Sequence, residues 1–73
     1  MDVYDIRQAA REAGRDTFTA VREYLENLDD AQLETNLVEI ESRKTKRPKK
    51  RDAKIKLITA RVCQGDAFLT SLV

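Results

Sequence analysis

An all-α domain of three to five helices is the architecture this chain predicts, and three patterns predict it. Apolar residues recur at spacings of three and four, acidic residues stand just ahead of each apolar run, and both glycines and the one proline fall between runs rather than within them.

Asp2 is placed to cap a first helix in which Val3, Ile6, Ala9, Ala10 and Ala13 share an arc of about 120° at 100° per residue. That face is apolar but shallow, and its alanines allow close approach of another helix. Gly14 supplies the stop, because glycine takes the left-handed conformation at a helix end at little cost. Asp16 opens the next segment, where Phe18, Val21, Tyr24, Leu25 and Leu28 lie on one side with Arg22, Glu23 and Glu26 opposite. This is the clearest amphipathic helix in the chain.

Asp29 or Asp30 caps a third helix whose inner face is Leu33, Leu37 and Ile40, with Val38 off that face. It is expected to run into the basic residues, Arg43 and Lys44 lying against the negative end of its dipole, until Pro48 disfavours helical geometry at Arg47. Lys46 to Arg51 then reads as a solvated connector. A fourth helix from about Asp52 to Gln64 carries Ile55, Ile58 and Val62 on one stripe and Ala53, Leu57 and Ala60 on the opposite side, a pattern that asks for two partners. Gly65 and Asp66 read as a stop and a new cap, with Phe68, Leu69, Leu72 and Val73 docking a short last turn. The competing architecture replaces this end with a β-hairpin, Lys54 to Cys63 turning into Ala67 to Val73, but alternation fails at Leu57 and Ile58. Residues 1–73 thus form one helical domain with a basic connector at about 44–51.

A small core follows from the length, and with Tyr4, Phe18, Tyr24 and Phe68 as the only aromatic residues few large side chains can fill it. A homodimer is the expectation. Cys63 is the single cysteine, so no intramolecular disulfide framework exists, and with no histidine in the chain a tetrahedral zinc site within one subunit has no ligand set. No metal or cofactor is expected. The longest apolar run is of three residues and the N-terminus is acidic, which argues against a membrane span or a leader and for an intracellular, cytoplasmic protein.

Charge is the loudest signal. The net charge is only +1, yet residues 1–42 hold eleven acidic and four basic side chains, while residues 43–73 hold ten basic and two acidic. Seven of the nine residues from Arg43 to Arg51 are Lys or Arg. A concentrated positive field attracts phosphate polymers, anionic surfaces or the molecule's own acidic half. Lys49, Lys50, Arg51, Lys54 and Lys56 stand at the start of the fourth helix, where the dipole disfavours cations and stability alone would select acids. Cations there suit an anion instead, received by side chains and amide groups together.

The leading functional expectation is therefore a small, non-catalytic nucleic-acid-binding or regulatory protein that grips phosphates with Arg43, Lys44, Lys46, Arg47, Lys49, Lys50, Arg51, Lys54 and Lys56. No aromatic residue interrupts Arg43 to Arg61, so base stacking is missing and sequence information should be slight. The bland alternative is a solubilising loop, or a partner for the acidic half of a neighbouring chain. The other functional class is a protein-interaction module or inhibitor acting through an acidic face of Glu23, Glu26, Asp29, Asp30 and Glu34. An enzyme is the least supported class: no glycine-rich phosphate loop and no nucleophile with a histidine partner is present, and Glu34, Glu39 and Glu41 read as solvated charges.

Two stretches resemble known motifs. Residues 6–25, IRQAAREAGRDTFTAVREYL, resemble the helix-turn-helix of DNA-binding regulators at Ala10, Gly14, Thr19, Val21 and Arg22. Arg15 and Glu23 depart from it by standing where apolar residues belong, and a plain helical hairpin is the preferred reading. KTKRPKKR, residues 44–51, resembles a short basic nuclear-import signal, which has meaning only in a eukaryotic host or its virus.

Overall fold

The computed structural model describes residues 2–64, and they form four α-helices: α1 (Val3–Glu12), α2 (Thr17–Glu26), α3 (Asp30–Ile40) and α4 (Arg51–Val62), with a 3-10 turn at Lys44–Lys46 between the last two. The caps explain where the first three begin. Asp2 accepts hydrogen bonds from the amides of Tyr4 and Asp5 at 2.9 and 3.1 Å, and the Asp5 carboxylate accepts the Asp2 amide in return. Asp16 accepts from the Phe18 amide at 3.0 Å, and Asp29 and Gln32 form a second reciprocal box. Each satisfies amides that a helix start leaves without partners.

Gly14 ends α1 at φ +70°. The Arg15 amide donates to the Ala10 carbonyl at 2.8 Å and the Gly14 amide to that of Arg11 at 3.1 Å, the paired bonds of a Schellman motif. The chain thereby reverses, and α2 packs on α1. In turn α2 packs on α4, and α4 on α3. The core is Val3 from α1, Val21 and Leu25 from α2, Leu33 and Leu37 from α3, and Ile55, Ile58, Val62 and Cys63 from α4 and its end. Each such aliphatic side chain contributes roughly 1.5–3 kcal/mol by leaving water.

Several expectations change here. The fourth helix packs within the chain on α2 and α3, with a smaller contact to α1. Ala60 is exposed, and Leu57 is half-buried at the edge of the core. On α1, Ala9 and Ala13 are exposed while Val3 and Ala10 are buried, so only part of the alanine face is used. The hairpin alternative is overturned, since Lys54 to Val62, all but the last residue of its first arm, is helical. The last turn expected from Asp66 to Val73 lies outside the described residues.

The third helix does not run into the basic stretch. It ends at Ile40, eight residues before Pro48, because Glu41 leaves helical geometry at φ −132° and ψ 97° and turns its carboxylate inward. The connector is also less solvated than expected: Arg47 and Pro48 are half-buried, and Arg51 belongs to α4.

Candidate nucleic-acid interface

Folding sorts the nine basic residues singled out by the sequence into three groups. Arg43, Arg51 and Lys54 are spent on carboxylates. Arg47 is anchored to backbone. Lys44, Lys46, Lys49, Lys50 and Lys56 are exposed, with no hydrogen bond or ion pair to their ammonium groups among the described residues.

The first group ties the acidic half of the chain to the basic half. Arg51 donates to Asp30 at 2.8 Å and to the carbonyls of Glu26 and Leu28 at 3.0 and 2.7 Å, so it also closes the C-terminal end of α2. Carbonyls at that end have no partner within their own helix, and a guanidinium there is well placed against the dipole. Lys54 donates to Glu34 at 2.9 Å, joining α4 to α3. That bond, ahead of the other charges nearby, holds the Glu34 carboxyl below its ordinary range.

Glu41 is the residue that the sequence reading misjudged. Taken as a solvated charge, it is only 3% exposed. Its Oε1 accepts from the Arg43 amide at 3.0 Å and from Arg43 Nε at 2.9 Å, and its Oε2 accepts from Arg43 Nη2 at 2.9 Å and from Arg61 Nη2 at 3.2 Å. Two guanidiniums and an amide thus surround one carboxylate. The hydrogen bond from the Arg43 side chain, then that from its amide, hold the Glu41 carboxyl down to about 2 against the pull of desolvation. The only sequence signal for this cluster was an acid at the junction of the two charge blocks, two residues from an arginine.

Arg47 differs from the other arginines. Its Nη1 donates to the Glu41 and Ser42 carbonyls at 3.3 and 3.1 Å, neutral acceptors that fix the side chain without cancelling its charge. It lines a shallow depression of about 250 Å³ together with Glu34, Lys44, Pro48, Lys49 and Lys54. The neighbouring start of α4 has Lys50 as its N-cap with no side-chain cap bond, unlike the aspartate-capped helices before it.

The acidic face is equally dispersed. Asp29 caps α3, Asp30 holds Arg51, Glu34 holds Lys54, and Glu26 stands 3.4 Å from Arg22 on its own helix. Glu23 is exposed. In the α1–α2 hairpin, the two side chains that a recognition helix would turn to bases are also occupied: Thr19 donates to Asp16 at 2.9 Å, and Arg22 pairs with Glu26. Arg15 and Glu23 are exposed rather than packed, as a helical hairpin allows and the regulator motif does not.

Cys63 is fully buried in the core. Among the described residues no group of three or more metal-ligating side chains could hold a metal ion, and no helix is long and apolar enough to cross a membrane. No protein-family model matches the sequence, and no curated protein or solved structure shows significant similarity to it.

Proposed function

We propose that this protein binds nucleic acid through backbone phosphates and acts by binding rather than catalysis. One observation carries the reading: after the fold has used its cations internally, the ammonium groups of Lys44, Lys46, Lys49, Lys50 and Lys56 stay exposed, with no ion pair among the described residues, along the 3-10 turn and the start of α4. Lysines contributing to stability would be expected on carboxylates, as Lys54 is. The uncapped start of α4 supports the same reading, since its open amides add to a field that favours anions. Without aromatic residues in the segment, binding is to phosphates and carries little sequence information.

The acidic-face alternative has less to support it, because four of its five carboxylates hold cations or cap a helix in the same chain. A homodimer rests on the modest core and on the charge asymmetry. The large apolar side chains exposed among the described residues are Tyr4 and Val38, on different helices, and α4 packs on α2 and α3 within the chain.

The test is a salt series on duplex binding with Lys46, Lys49 and Lys50 changed to Gln. Each phosphate that the variant no longer neutralises should flatten log affinity against log salt by about 0.9, so the triple change should reduce the slope by roughly two to three units, on random and chosen sequences alike. Its thermal stability should stay near that of the parent. Absence of duplex binding by the parent at about 50 mM salt would overturn the reading.

A further inference from the structure

We propose that the depression between α3, the 3-10 turn and α4 is a phosphate site, in which Arg47, Lys44 and Lys49 hold one backbone phosphate of a nucleic acid and Glu34 is the resident carboxylate that this phosphate displaces from Lys54; the inference rests on the nucleic-acid reading above. Four cationic side chains line the depression against one carboxylate. The local excess of positive charge is thus independent of the lysines elsewhere on the surface.

Arg47 makes the depression more than a patch of mobile lysines. A guanidinium has five N–H donors, and here only Nη1 is engaged, by two backbone carbonyls at 3.3 and 3.1 Å. Nε and Nη2 are left with no described acceptor, on a side chain whose orientation is already set. A planar fork held in this way suits a phosphate, whose oxygens accept two parallel hydrogen bonds, and its ordering cost is met before the ligand arrives. Arg43 differs, because the Glu41 carboxylate fills its fork, and Arg51 and Arg61 differ because each is tied to a carboxylate away from the depression, to Asp30 and to Glu41.

Glu34 sets the strength of the site. Its Oε2 sits 2.9 Å from Lys54 Nζ, with the lysine side chain 20% exposed and the glutamate 46% exposed. The carboxylate therefore occupies Lys54, offsets part of the nearby Arg47 charge and repels an incoming phosphate, while being exposed enough to swing away. A phosphate that enters takes over the Lys54 ammonium and releases Glu34 to water. The outcome is a site whose affinity is tempered by the chain itself.

The test uses the full chain, inorganic phosphate as the probe for amide NMR shifts at constant ionic strength, and a DNA duplex for affinity. Phosphate should shift the amides of residues 44–49 and of Lys54. Glu34→Gln should tighten duplex binding about threefold to fivefold by removing one exposed like-signed charge. Arg47→Lys, which keeps the charge and loses the fork, should weaken it about tenfold. Because Arg47→Lys also removes bonds within the connector, Glu34→Gln is the deciding variant. Duplex binding that Glu34→Gln leaves unchanged, with no phosphate-induced shifts at residues 44–54, would overturn the site while leaving the nucleic-acid reading intact. Phosphate shifts without duplex binding at about 50 mM salt would keep the anion site and remove nucleic acid as its ligand.

Discussion

Arg61 Nη2 lies 3.2 Å from Oε2 of Glu41, twenty residues away, and ties the last turn of α4 to the residue that ends α3. Arg43 grips the same carboxylate from the connector. One buried acid thus fixes where a helix stops, how the connector leaves it and how α4 lies alongside.

Acid should release this clamp. Glu41 titrates at about 2 in the folded chain against an ordinary 4.5, so it contributes stability in full above about pH 4.5, and that contribution is lost as pH falls toward about 2. Glu34 is shifted in the same direction by Lys54 and adds to the trend. Thermal melts between pH 7 and pH 2 should show a steep acid fall for the parent and a shallower one for Glu41→Gln, which should also melt lower at neutral pH. Parallel curves would mean that the clamp is not closed in solution.

Arg51 joins the start of α4 to the end of α2 and the start of α3. Arg51→Gln should destabilise the protein by about 1–2 kcal/mol, through loss of the charge-assisted bonds to the Glu26 and Leu28 carbonyls and to Asp30. The same change at Lys50 should be close to neutral. Urea denaturation followed by circular dichroism separates the two.

Thr59 buries its hydroxyl without a hydrogen-bond partner among the described residues. Thr59→Val keeps the shape and removes the unpaired polar group, so it should raise stability by about 1 kcal/mol. A drop in Tm would show that the hydroxyl has found a partner in solution.

Gly14→Ala tests the turn between α1 and α2. Nothing lies within 4 Å of the position a Cβ would take, so the cost is that of holding alanine at φ +70°, about 1 kcal/mol or slightly more. For a chain of this length that lowers Tm by roughly 4–8 °C.

Local signals alone were enough for the helices at Asp2, Asp16 and Asp29, the reversal at Gly14, and the inner residues Val21, Leu25, Leu33 and Leu37, because caps, left-handed glycine and apolar spacing act over a few residues. The excess of positive charge after residue 42 was equally plain. Which of those cations remain available was not, since for three of them that depends on acids twenty or more residues away: Glu34 against Lys54, Asp30 beside Arg51 and Glu41 against Arg61. Sequence spacing carries no information about such pairs. The end of α3 was not legible either, because the carboxylate that stops the helix is held inward by Arg43 two residues on together with Arg61 from α4, a burial that spacing alone does not reveal. The order of residues by itself determined that this chain is helical and strongly polarised in charge. Packing α4 between α2 and α3 decided which charges hold the fold together and which face the solvent.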